Sequence, residues 1–124
     1  MARAKVLLID DEVEFASTLA ERLNIRGYDA SAIYSTVKVL DKVRSDMPDV
    51  VILDLKMPGT SGLEILKAIK EFDSSIEVIL LTGHGSEQCT TDCVSRGAFD
   101  YMIKPIEIDN LTAKIDMAVG KKQK

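Results

Sequence analysis

The stretch Lys5-Val-Leu-Leu-Ile-Asp-Asp-Glu12, "KVLLIDDE", decides how the rest of the chain is read. A run of branched apolar residues belongs to a core strand covered on both faces. Yet this run ends directly in three acidic side chains, with no basic residue beside them. A chain that brings its core strand out into Asp10, Asp11 and Glu12 pools negative charge at one point. The fold must supply the compensating charge from somewhere else.

Two more runs share the character of the first, "DVVILDL" (49–55) and "IEVILLT" (76–82). Both are short, rich in β-branched residues and nearly continuous. Two weaker runs, "DASAIY" (29–34) and "FDYMIK" (99–104), mix in polar residues and are expected as edge strands. Between the strands the apolar period changes to that of helices. Phe15, Leu19 and Leu23 mark the first helix, and Val37, Leu40 and Val43 the second. Leu63, Leu66 and Ile69 mark the third, and Leu111, Ile115 and Ala118 the last. Ser61-Gly-Leu-Glu64 is a capping-box sequence for the third helix. Gly27 and Gly97 stand where the first and fourth helices should stop. The fourth helix, about 87–96, has the weakest apolar pattern.

Five strands alternating with five helices predict an α/β protein, a parallel sheet with helices on both faces. Right-handed crossovers make it a doubly wound open sheet. The 124 residues fit one domain, read as 1–120, with 121–124 as a basic tail or the start of a linker. A composition of 46% hydrophobic and 29% charged residues excludes a disordered chain. A net charge of −4 argues against a nucleic-acid-binding surface. No apolar run approaches the ~20 residues of a membrane span, and Met1–Lys5 does not open a signal peptide. Cys89 and Cys93 are too few for a disulfide framework. These features point to a reducing cytoplasm.

Open parallel sheets bind ligands outside the carboxyl ends of their strands. The first strand ends at Asp10-Asp11, the third at Asp54, the fourth at Thr82 and the fifth at Lys104. Three convergent carboxylates repel one another, and Lys104 offsets only one charge. A hard divalent cation with oxygen ligands completes the balance, and Mg²⁺ fits best because it accepts few carboxylates and a phosphate oxygen. Thr82 and Lys104 then form a clamp for a phosphoryl group. Asp54 is the candidate nucleophile, giving an aspartyl phosphate.

The pieces "LLIDDE", "VILDLKMPGTSGLE", "LLTGHG" and "GAFDYMIKP", in this order, resemble the receiver domain of two-component response regulators, the CheY-like superfamily. The resemblance covers essentially the whole chain. It is nearest in flavour to receivers of nitrogen-regulatory-type activators and hybrid kinases. It implies the flavodoxin-like strand order 2-1-3-4-5, with Asp54 as phosphoacceptor. Asp11, Asp54 and the backbone carbonyl of Lys56 would bind Mg²⁺ or Mn²⁺, with Asp10 acting mostly through a water on the metal. Lys104 would pair with the carboxylates and then with the phosphoryl oxygens. Thr82 would move toward the phosphoryl group, and Tyr101 would swing inward behind it. The Lys104–Pro105 peptide would be cis, and Gly62 structural. Implied partners are a sensor histidine kinase or phosphotransfer protein, an output domain or protein, and a phosphorylation-dependent homodimer. The output surface would be the face formed by the fourth helix, fifth strand and fifth helix. Such a domain is not an enzyme in the ordinary sense, although it catalyses its own phosphorylation.

Plainer readings stand beside these. Asp11 can cap the first helix, with Glu14 three residues on, and remain a ligand. Glu12 reads as a solvated acid of the first helical turn and not as a ligand. His84 belongs at the rim of the site, and Lys56 and His84 hold positions that tune dephosphorylation in the family. Zinc binding by His84, Cys89 and Cys93 would lack a fourth ligand. One rival is a phosphorylation-independent interaction module, whose usual mark is a lost acid or lysine. Another is a Mg²⁺-dependent phosphohydrolase, which would need a second acid where this chain has Lys56.

Overall fold

The computed structural model describes residues 4–35, 37–55, 62–83 and 97–122. Five parallel strands form one sheet in the order β2-β1-β3-β4-β5. They are β1 (Lys5–Ile9), β2 (Asp29–Ile33), β3 (Val50–Asp54), β4 (Glu77–Thr82) and β5 (Asp100–Ile103). The helices described are α1 (Val13–Ile25), α2 (Val39–Asp46), α3 (Gly62–Phe72) and a C-terminal helix, Ile108–Lys122. The fourth helix expected from the sequence, about 87–96, lies outside the described residues, as do Ser61, Lys56, His84 and both cysteines.

The continuous apolar runs divide by alternation, because successive side chains in a strand face opposite sides of the sheet. Val6, Leu8, Val50, Ile52, Ile79 and Leu81 face α1 and the C-terminal helix, which contribute Leu19, Leu23, Leu111, Ile115 and Ala118. Leu7, Ile9, Val51, Leu53, Val78 and Leu80 face α2 and α3, which contribute Val39, Val43, Ile65, Leu66 and Ile69. Every residue of β3 and β4 is buried, whereas β2 and β5 at the two edges are partly exposed. The strong and weak runs of the sequence are thus the central and edge strands.

One helix start differs from the expectation. Val37 is 84% exposed and precedes α2, whose buried residues are Val39 and Val43. Val39, the first residue of α2, packs into the core face between the sheet and α3, and Val37 lies outside it. The end of α1 follows a Schellman pattern. Gly27 takes φ 93°, its N–H donates to Asn24 O (3.0 Å), and Tyr28 N–H donates to Leu23 O (3.1 Å). The turn feeds the chain straight into β2, where both polar atoms of the Asn24 side-chain amide bond the backbone of Ala30 (2.8 and 3.0 Å). Among the described residues, no helix is long and apolar enough to cross a membrane.

Candidate phosphoryl-acceptor site

All five strands point the same way, so the residues at their carboxyl ends share one rim of the sheet. Ile9 pairs with Leu53 and Asp54 with Leu81, which sets Asp10, Asp54 and Thr82 at the carboxyl ends of three adjoining strands. All three are buried: Asp10 is 1%, Asp54 3% and Thr82 4% exposed. Backbone hydrogen bonds extend the pairing just past the strands. Leu55 N–H donates to Leu81 O (3.0 Å), and Lys104 N–H donates to Thr82 O (2.8 Å). The second of these brings Lys104 to the same rim as the acids.

Lys104 Nζ occupies the centre of the charge cluster. It lies 2.9 Å from Asp10 Oδ2, 3.6 Å from Asp54 Oδ2 and 2.6 Å from Glu12 Oε1. The Phe15 ring faces the same ammonium, 4.4 Å from its centroid, at a distance where a cation is attracted to an aromatic face. Burial alone would lower the Lys104 pKa, but the hydrogen bond to Glu12, the Asp10 carboxylate against the ammonium and the charge of Asp54 carry it above its ordinary value.

Burial pushes the Asp10 carboxyl above the ordinary carboxylate range, and the Asp54 charge adds to that. The Glu12 N–H and the Lys104 ammonium pull the other way without cancelling it. Asp10 Oδ1 accepts the Glu12 backbone N–H (2.9 Å). The N–H at the start of α1 is therefore held by Asp10, not by Asp11, which is exposed. Asp10 Oδ2 is buried and, despite its ion pair with Lys104, has no directed hydrogen bond among the described residues.

Asp10, Glu12 and Asp54 each offer an oxygen within 4.8 Å of the others, the grouping a metal ion could use. An all-oxygen donor set with one incompletely satisfied, buried carboxylate suits a hard divalent cation. Asp11 does not belong to that group of three. Glu12, which the sequence presents as a solvated acid, is 62% exposed and still reaches the ammonium. The separation of 92 residues between Glu12 and Lys104 hides this contact from any local pattern. Tyr101 lies on β5 with 37% of its surface exposed. The Lys104–Pro105 peptide is cis.

The chain matches the family described as the response regulator receiver domain over residues 6–116. It is 35% identical over 111 residues to sporulation initiation phosphotransferase F of Bacillus subtilis, with 90% of each chain covered. It is 33% identical over 120 residues to the DNA-binding transcriptional regulator NtrC of Klebsiella pneumoniae. That match spans 97% of this chain and 26% of the relative, about a quarter of its length. A response regulator receiver domain protein from Clostridium thermocellum superposes with a TM-score of 0.91 at 35% identity, covering 97% of both chains. NtrX from Brucella abortus superposes with a TM-score of 0.92 at 28% identity, over 99% of this chain and 28% of that one.

The chain therefore belongs to the response regulator receiver domains of two-component systems. These are regulatory modules, and they generally bind Mg²⁺ at an acidic pocket. Neither the interaction-module reading nor the phosphohydrolase reading is favoured by these matches.

Proposed function

We propose that this receiver accepts one phosphoryl group on Asp54, from the phosphohistidine of a sensor histidine kinase or phosphotransfer protein. One observation supports this above the others. The Lys104 ammonium stands between two buried carboxylates at adjoining strand ends, 2.9 Å from Asp10 Oδ2 and 3.6 Å from Asp54 Oδ2. An Asp54 carboxylate oxygen attacks phosphorus in line. The new O–P bond forms as the donor's N–P bond breaks, and the leaving imidazole keeps the electron pair and takes a proton from solvent. Lys104 offsets the charge on the equatorial oxygens, and the Thr82 hydroxyl donates a hydrogen bond to one of them.

The proposed cation is Mg²⁺ or Mn²⁺, held by Asp10, Asp11, Asp54 and the Lys56 carbonyl; when bound, it neutralises phosphoryl charge. The domain, residues 1–120, catalyses only its own phosphorylation and dephosphorylation. It works as a switch in the cytoplasm without contacting nucleic acid. Thr82 moves toward the phosphoryl group, and Tyr101 turns inward from its half-exposed place on β5. A pre-existing equilibrium then shifts on the face that meets an output partner or a second copy.

Intact-mass spectrometry after incubation with acetyl phosphate and Mg²⁺ tests this reading. One added phosphoryl group is expected in the wild type, and none in Asp54→Ala or with EDTA. A folded wild type that takes no phosphoryl group from acetyl phosphate or from a phosphohistidine donor overturns it. Thr82→Ala should still take the group while failing to alter partner binding. A full partner response in that variant would refute the switching route.

A further inference from the structure

Glu12 is the N-cap residue of α1, and its side chain is largely exposed. A glutamate there has water freely available, yet its Oε1 lies closer to Lys104 Nζ (2.6 Å) than either buried aspartate does. Phe15, three residues on, presents its ring to the same ammonium at 4.4 Å. Residues three apart are neighbours on a helix surface. Both contacts thus come from the first turn of α1, while Lys104 arrives from just beyond β5. An ammonium has three N–H donors. In this arrangement the nearest oxygen belongs to Glu12, and Asp54 is the most distant of its three acidic neighbours.

We propose that Glu12, with Phe15 beside it, is a positioning residue that holds the Lys104 ammonium toward the α1 side of the pocket, in competition with Asp54 and with a phosphoryl group arriving there. The proposal rests on the phosphoryl-acceptor reading of Asp54. Phosphorylation adds negative charge at Asp54 and draws the ammonium inward, so the Glu12–Lys104 pair gives way. That exchange makes and breaks no covalent bond and moves no proton. The pair is partly solvated, so its hold on the rate has the modest size of an exposed ion pair, about two- to fivefold.

The test compares phosphorylation rates with acetyl phosphate in wild type, Glu12→Gln, Lys104→Met and the double variant. It also follows the Lys104 Cε–Hε signal by NMR in metal-free protein without phosphodonor. Glu12→Gln keeps an exposed side chain of the same shape, so the fold is retained. The expected results are an acceleration of about two- to fivefold in Glu12→Gln, its loss when Lys104 is methionine, and a shifted Lys104 signal with other lysines unmoved. An equal acceleration in the methionine background, no acceleration, or an unmoved Lys104 signal each overturns the positioning role. If Lys104→Met is inert, the rate in Glu12→Gln and the NMR signal decide. A wild type that takes no phosphoryl group fails the acceptor reading itself, and the positioning role with it. A wild type that is phosphorylated while the variants behave additively fails the positioning role alone.

Discussion

Replacing Gly62 by alanine tests how closely the fold and the site are joined. A methyl group on Gly62 would stand 2.7 Å from Leu55 Cδ2 and 3.1 Å from Leu55 Cα. The leucine side-chain tip can rotate away, but its Cα is backbone and moves only with its neighbours. The residue before it is Asp54, whose carboxylate lies 3.6 Å from Lys104 Nζ. Overpacking of this kind typically costs about 1–3 kcal/mol. The better helix propensity of alanine offsets less than about 1 kcal/mol of it at a first helical residue. The net loss should be about 1–2 kcal/mol, which for a domain of this length lowers Tm by about 4–8 °C. Urea denaturation should show a lower midpoint with an unchanged slope. Because the displaced segment carries Asp54, phosphorylation by acetyl phosphate should also slow, by up to about tenfold. An unchanged midpoint together with an unchanged rate would refute the idea that α3 abuts the acceptor strand at Gly62.

Three further outcomes follow from the charge cluster. Asp10 is buried and its pKa is raised, so the fold binds its proton more tightly than the unfolded chain does. Stability is therefore lost as pH rises through the window between the ordinary and raised values, and metal-free Asp10→Asn should gain on wild type as pH rises through that window. A difference in urea denaturation with EDTA that does not move with pH would contradict this. Lys104 has the opposite charge type and a pKa raised above 10.5. Its contribution is fully present below that ordinary value and disappears as pH rises through the folded one. Wild type should lose its advantage over Lys104→Met in strongly alkaline thermal melts, and a constant difference would argue against the ion pairs. Mg²⁺ should stabilise wild type by about 2.7 kcal/mol at a hundredfold excess over its Kd. The gain should be much smaller in Asp10→Asn, and equal gains would remove Asp10 from the cation site.

The strands and most helix faces were legible because their patterns are local. Leu19 and Leu23, or Leu66 and Ile69, repeat at intervals that only a helix places on one side. The rim residues were legible for a related reason. A parallel sheet puts every strand's carboxyl end on one edge, so Asp10, Asp54, Thr82 and Lys104 could be brought together from strand ends alone. What depends on distance through space was not legible. Val37 fitted the apolar period of the second helix in one dimension, but Val39 is the residue that packs into the core. The left-handed conformation of Met47, φ 48°, which ends α2, carries no residue signal of the kind glycine gives at position 27. Glu12 and Phe15 looked like ordinary residues of a first helical turn, and their shared contact with Lys104 exists only once β5 has closed against the sheet.

The measurement that bears most directly on the central claim is borohydride trapping of the phosphorylated protein. Reduction converts an aspartyl phosphate to homoserine, and tandem mass spectrometry of the peptides then reads its position. Homoserine is expected at position 54, present only when Mg²⁺ and a phosphodonor were supplied. Homoserine at position 10 or 11, or a phosphoryl group retained on a residue other than an aspartate, would contradict it.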